Sequence, residues 1–176
     1  MPPPDRGPAA PSPIEVDGWL TELGIVPLER TEREGITSWD LVLDGRRRFD
    51  IRVTLILDPS LALIAWVHYA PPTITDALRR SYRTLLRWND EYPFVKFAIA
   101  SDERPVLTSE LAIEGLGRDT LGIALARLLA LCDHLAEDSA HWIWLDGKVP
   151  GSAGRLSRQV GLFARYADRL AELTGP

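Results

Sequence analysis

Residues 85–99 read Leu-Leu-Arg-Trp-Asn-Asp-Glu-Tyr-Pro-Phe-Val-Lys-Phe-Ala-Ile, and they contain the change from a helix to a sheet. The first part predicts the end of a helix, Pro93 predicts a break, and residues 94–100 alternate as a strand does. A second strand (Val106 to Leu111) and an apolar helix (about 119–137) follow in the sequence. This order predicts an α+β protein.

The apolar side chains of this stretch are expected to be core. They are Leu85, Leu86, Phe97 and Ile99. Asn89 lies near the predicted helix end, where we expect it to help terminate the helix.

Three more strands are predicted upstream, over residues 38–43, 48–57 and 61–70. Their alternation gives each strand one apolar and one polar face, with Arg48 on a polar one. Short turns between them, such as Asp44-Gly45, favour an antiparallel meander that is covered on one side. Residues 29–35 are expected to form a loop or a frayed edge strand.

The predicted fold is therefore a five-stranded antiparallel sheet with helices packed on it, in the order α-β-β-β-α-β-β-α, plus a C-terminal helix. Residues 1–13 are rich in proline and are predicted to be a disordered tail. Residues 14–138 form the α+β domain. Residues 139–176 form a C-terminal extension, in which an amphipathic helix over about 152–173 is expected to pack on the same domain.

Composition excludes several classes of protein. Of the 176 residues, 45% are hydrophobic, which suits one domain with a full core. No apolar run is long enough to predict a membrane span. The net charge of -5 gives no overall attraction to nucleic acid. The single cysteine, Cys132, excludes intramolecular disulfides, and we expect a cytoplasmic location.

The ordered segments Leu85-Leu86-Arg87-Trp88-Asn89, Lys96-Phe97-Ala98-Ile99 and Val106-Leu107-Thr108-Ser109-Glu110-Leu111, together with Trp39, resemble the YbjN family of bacterial sensory transduction regulators. That family is similar in fold to type III secretion chaperones. The resemblance covers roughly Ile14 to Glu137. It implies a non-enzymatic, regulatory or protein-binding role and frequent dimerisation, and it brings no catalytic residues.

The residues themselves predict no catalytic, cofactor or metal site. Cys132 and His134 point to opposite sides of a helix, and Cys132 is expected in the core. His68, His134 and His141 have no metal-ligand spacing. The glycine-rich segment 147–154 has the wrong order for a phosphate loop.

Arginine faces and tryptophans are the candidate partner-binding features. Two arginine faces are predicted, one on the helix that ends near Asn89 and one on the C-terminal helix. Trp142 and Trp144 would share one face of an extended segment, and tryptophan is common at binding hot spots. The candidate partner-binding residues are Arg79, Arg83, Arg87, Trp142, Trp144, Arg158, Arg165 and Arg169.

The predicted function is a non-catalytic protein-binding or regulatory module, chaperone-like and homodimeric, with an unidentified protein partner. One alternative is a small-molecule-binding protein or an enzyme, with a site between the sheet and the C-terminal extension near Trp66, His68 and Trp142. A second alternative is a nucleic-acid binder that uses the arginine faces, which the acidic net charge disfavours.

Overall fold

A computed structural model of the chain describes residues 10–72 and 81–173. The strands are β1 (Glu29–Arg33), β2 (Ile36–Leu43), β3 (Ile51–Asp58), β4 (Ala62–His68), β5 (Lys96–Ile99) and β6 (Pro105–Ala112). The helices are α1 (Pro13–Glu22), α2 (Ser81–Glu91), α3 (Arg118–His134), α4 (Ala140–Ile143), α5 (Val160–Arg165) and α6 (Ala167–Leu170), followed by a 3-10 turn (Ala171–Leu173).

The six strands form a single sheet in the order β1-β2-β3-β4-β6-β5, and every pairing is antiparallel. The prediction of an α+β protein with an antiparallel sheet is confirmed. In the described residues the sheet has six strands instead of five, because residues 29–33 pair with β2 along their whole length. All five side chains of β1 are exposed, which is why the sequence shows no apolar alternation there.

Helices cover one face of this sheet in the described part of the chain. Alternate residues of β2, β3 and β4 are buried, and α3 packs against β4 and β6 with its apolar residues in the same core. Cys132 is fully buried in that core, as predicted. The opposite face holds more polar and half-buried residues, including Thr54, Ile64 and Trp66.

The first helix, α1, is capped at its N-terminus and hydrogen-bonded to the sheet. Ser12 caps α1 by accepting from the Glu15 backbone N–H, and the Glu15 carboxylate accepts from the Ser12 N–H in return. Trp39, fully buried on β2, donates its indole N–H to Asp17 (2.6 Å). The N-terminal helix is thereby joined to the sheet. Residues 1–9 of the predicted tail lie outside the described residues.

The C-terminal extension packs against the main domain. Trp142 on α4 lies against Trp88 of α2, with ring centroids 5.4 Å apart. Tyr166 packs directly on Gly122 of α3, where a Cβ would overlap its ring, and donates to Asp119 (2.8 Å). The glycine therefore allows the close approach of the extension to α3.

The single helix predicted over 152–173 is wrong, because α5, α6 and the 3-10 turn form separate short segments. Ala153 and Gly154 have left-handed backbone conformations, and Arg155, Ser157, Arg158 and Gln159 are bonded to Asp44 in the loop after β2. Such side-chain and backbone contacts compete with helix formation. Leu156 of the predicted apolar stripe is 83% exposed.

Three smaller predictions are also wrong. The third strand begins at Ile51 instead of Arg48, and Arg48 is buried. Trp142 lies on a short helix, so it does not share an extended segment with Trp144. Leu86 and Ile99 were expected in the core, but they are 67% and 41% exposed, whereas Leu85 and Phe97 are buried.

Candidate functional site

The loop between β2 and β3 (residues 44–50, the 44–50 loop) is held by two carboxylates. The Asp133 side chain, on α3, accepts three consecutive backbone N–H groups, from Arg46 (2.6 Å), Arg47 (2.8 Å) and Arg48 (2.9 Å). A Cβ on Gly45 would overlap this carboxylate, so a larger residue there would displace it. The loop forms a small anion cradle, and a side chain of the protein itself fills it.

The second carboxylate is Asp44, which is fully buried and joins the loop to the C-terminal extension. Arg158 donates to it from Nε (2.7 Å), Nη2 (2.8 Å) and the backbone (3.1 Å). Arg155 bonds both Asp44 and Asp50. We call Asp44, Asp50, Arg155 and Arg158 the charge clamp.

The hydrogen bonds of the clamp hold its aspartates ionised. Burial of Asp44 acts to raise its pKa, but hydrogen bonds from Arg158 and from the Asp50 backbone N–H outweigh it, so the Asp44 pKa lies well below the ordinary range. The Asp50 pKa is lowered mainly by its hydrogen bonds with Arg155. The ionised aspartates of the clamp therefore bind the arginines of the extension as ion pairs.

A cationic cleft lies beside the clamp, where β3 begins and β4 ends. It has a volume of about 390 Å³, and its wall includes Arg48, Arg52, His68, Arg104 and Trp144. Arg52 precedes Val53, His68 follows Val67, and Val53 pairs with Val67, so Arg52 and His68 are neighbours on the uncovered face of the sheet. This cleft lies between the sheet and the extension.

An apolar groove of about 250 Å³ lies between α2 and the edge strand β5. Its wall is formed by Tyr82, Leu85, Leu86, Phe97, Ala98 and Ile99. Two candidate partner-binding residues, Arg83 and Arg87, are exposed on the same helix and make no ion pair with any described residue. The groove therefore combines an apolar floor with positive charge on its helix.

The outer edge of β5 is closed by a side chain. Asn89 accepts from the Phe97 N–H (2.6 Å) and donates to the Phe97 carbonyl oxygen (3.0 Å), as a neighbouring strand would. Asn89 thus caps a strand edge, and α2 continues past it to Glu91, so the expected role in ending the helix is wrong. A capped edge disfavours the addition of another strand.

The family model described as "Putative bacterial sensory transduction regulator" matches residues 12–139, which is more than half of the chain. The chain belongs to the YbjN family. No curated protein matches the chain. The description of the YbjN family is that of a regulator, and the prediction of family membership is confirmed.

The YbjN match ends where the C-terminal extension begins. The charge clamp therefore connects Asp44, which lies inside the range matched by the family model, with two arginines that lie outside that range. Asn89 and Phe97 lie inside that region, in the motif that carries the resemblance. The apolar groove is built entirely from residues of the YbjN domain, whereas Trp144 of the cationic cleft comes from the extension.

The other predicted partner-binding residues lie in different settings. Trp142 is buried, Trp144 is half-buried, and Arg158 belongs to the charge clamp. Arg165 is exposed, and Arg169 pairs with Glu172 at 3.3 Å. Arg79 lies outside the described residues. A binding role for these residues stays a prediction.

The sequence indicated a site between the sheet and the extension only as an alternative, near Trp66, His68 and Trp142, and of these three residues His68 lines the cleft. The alternation of β3 and β4 places Arg52 beside His68 on the polar face, but Arg52 was not named for that site. Arg104 comes from a loop with no periodic signal, whereas Arg48 lies in the 44–50 loop although the alternation predicts a strand there.

The described residues offer no reactive thiol and no cluster of metal ligands. Burial raises the pKa of the Cys132 thiol to about 11, which keeps it protonated and unreactive at neutral pH. Residues 10–72 and 81–173 contain no group of three or more metal-ligating side chains. No helix in those ranges is long and apolar enough to cross a membrane.

Proposed function

We propose that this YbjN-family chain is a non-catalytic regulatory module that captures an acidic, amphipathic segment of a partner protein in the apolar groove between α2 and β5. The observation that carries the proposal is the exposure of Leu86 and Ile99, two large apolar residues beside a groove, with Arg83 and Arg87 unpaired among the described residues. Exposed apolar surface next to charge is typical of a binding site.

The capped edge of β5 favours capture by side chains. Because Asn89 already bonds both backbone groups of Phe97, a bound segment has little backbone to pair with at that position. A helical segment that inserts apolar residues into the groove fits this geometry. Acidic residues on its flanks would then face Arg83 and Arg87. This is a chaperone-like way of holding a partner.

Substitution of Leu86 by glutamate is expected to abolish capture while leaving the fold intact. A photo-crosslinking residue placed at position 86 in cells should crosslink a defined partner, and its digest should contain an acidic amphipathic peptide. Leu156, an exposed leucine on the extension, supplies the matched control. A crosslinking residue at position 156 should give no crosslinked partner, and the variant Leu156→Glu should capture the partner as the wild type does. Equal capture by the Leu86→Glu and Leu156→Glu variants would rule the groove out.

We further propose that the module is a homodimer that joins through the part of the uncovered sheet face formed by Ile56, Ile64 and Trp66, beside the cationic cleft and not over it. Ile56 and Ile64 are direct neighbours on β3 and β4, and Trp66 lies on the same face with its indole N–H unbonded to any described residue. Both sheet edges disfavour edge pairing, since β1 is fully exposed and charged and β5 is capped by Asn89. A face-to-face dimer fits these features.

The dimer is tested by light scattering coupled to size-exclusion chromatography. The wild-type chain should have the mass of two copies, and Ile64→Glu should reduce it to one, because a charge would enter an apolar interface. Ile14→Glu, at an exposed position on α1, is the control and should leave the mass unchanged. A wild-type monomer at high concentration would contradict the proposal.

A further inference from the structure

The cationic cleft contains a buried arginine that has no acidic partner among the described residues. Arg48 is only 7% exposed. Its Nη2 donates to the Tyr69 carbonyl oxygen, whereas its Nη1 is buried and has no partner in residues 10–72 and 81–173. A guanidinium removed from water without an anion is unfavourable. The Arg48 guanidinium lies over the Tyr69 ring (4.8 Å), but its Nη1 still lacks a hydrogen-bond acceptor within the described residues.

Two other buried polar atoms around the cleft also lack a partner in the described chain. Arg104 pairs with Asp102 through Nη2 (3.3 Å), but its Nε is buried and unbonded within the described chain. The Nδ1 atom of His68 is also buried without a described partner. Asp50 is the one described carboxylate on the wall, and the clamp arginines already bond it. Positive charge in the cleft thus exceeds negative charge.

The walls and size of the cleft suit an organic molecule. A volume of about 390 Å³ lies in the range of small-ligand sites. Trp144 and Ile143 supply apolar lining from the extension, and Arg52 and His68 supply polar lining from β3 and β4. An anion with a flat apolar body would fill both parts.

We propose that this cleft binds a small organic anion, whose carboxylate or phosphate group bonds Arg48 and Arg104 while its flat apolar part packs against Trp144. Arginine is suited to either group because its planar N–H donors match two oxygens at once. The ligand would supply the missing acceptors of Arg48 Nη1 and Arg104 Nε. This proposal is independent of the apolar groove, which lies between other elements.

Calorimetric titration of the full chain with benzoate, phenyl phosphate and inorganic phosphate tests the site. Either aromatic anion, or both, should bind saturably with one molecule per chain, and the better of the two identifies the group as carboxylate or phosphate. Inorganic phosphate should bind more weakly, since it lacks the ring. No saturable binding of either aromatic anion at millimolar concentration would overturn the proposal.

Variants locate the binding. Arg104→Met should weaken it about 10-fold or more, because a charge-assisted hydrogen bond is lost. Arg48→Met should weaken it at least as much; if that variant does not fold, Arg104→Met and Arg52→Met carry the test, because both positions are nearer the surface. Arg165→Met, at an exposed position on α5, is the control. Equal affinity in the Arg104→Met and Arg165→Met variants would also overturn the proposal.

The ring resonances of His68 give a second readout. Burial lowers the pKa of His68, as do the charges of Arg104 and Arg52, whereas Asp40 and Asp102 act to raise it. Its Nε2 lies 3.4 Å from the Thr54 hydroxyl, which donates to Asp40. An anion bound beside the ring should raise this pKa in a nuclear magnetic resonance titration. An unchanged His68 pKa at saturating ligand would place the binding elsewhere.

Discussion

Replacement of Asp133 by alanine is expected to lower the free energy of unfolding by about 3 kcal/mol. The carboxylate accepts three consecutive N–H groups of the 44–50 loop, at 2.6–2.9 Å, and lies in a largely buried position. Alanine would leave these donors unpaired, and the Arg48 N–H is buried. Unpaired buried donors cost the full loss of solvation, so the effect exceeds that of a surface hydrogen bond. Denaturant unfolding at neutral pH measures it.

A double-mutant cycle with Gly45 tests whether the carboxylate is the cause. Gly45→Ala should be strongly destabilising in the wild-type chain, because the new Cβ would displace the Asp133 carboxylate. The same substitution should cost much less in the Asp133→Ala background, where the overlap is gone. Asp138→Ala, at an exposed neighbouring position, should change stability by less than about 0.5 kcal/mol. Equal cost of Gly45→Ala in both backgrounds would contradict this account.

The sheet could be predicted from the sequence because its signal is local. Apolar residues alternate along β2, β3 and β4, and burial follows the same period. The sequence left β1 open as a loop or an edge strand, because none of its side chains is buried and no apolar alternation marks it. A strand that buries no face leaves only its backbone pairing as evidence, and pairing is not visible in one sequence.

The contacts that shape the candidate sites are distant in sequence and could not be predicted. Asp133 bonds residues 46–48, and Asp44 bonds Arg158. Neither pair has a characteristic spacing or motif. The helical periodicity of residues 152–173 was genuine as a pattern, but the bonds of Ser157 and Arg158 to Asp44 replace the helix there. Tertiary contacts override local propensity in such cases.

The prediction that Leu86 and Ile99 lie in the core is wrong for a different reason. Both residues belong to an amphipathic pattern that predicts burial, and the structure leaves them at the edge of the sheet. Disagreement between local pattern and structure is expected to concentrate at functional sites. The exposure of these two residues therefore supports the proposal that the groove captures a partner.

Arg158→Glu is expected to lower the free energy of unfolding by about 2–3 kcal/mol, below the range for a fully buried ion pair because Arg158 is half exposed. The substitution removes two side-chain donors to Asp44 and puts a second carboxylate beside it. The extension should then detach more readily from the 44–50 loop. Arg165→Glu makes the same charge change at an exposed site and should have a much smaller effect. Equal destabilisation by both variants would show that net charge, and not the clamp, is responsible.

The pH dependence of stability separates the Asp44 carboxylate from the rest of the clamp. Because the pKa of Asp44 is lowered in the folded chain, the unfolded chain binds its proton first as the pH falls. The stability that Asp44 contributes is therefore complete above the ordinary aspartate pKa of about 3.9 and is lost progressively below it. Asp44→Asn cannot titrate at this position, so its stability should fall less steeply than that of the wild type between about pH 5 and pH 3. Parallel profiles for the two proteins would mean that Asp44 is not held as a carboxylate, and that the extension is fastened by its apolar contacts, such as Tyr166 on Gly122, instead of by charge.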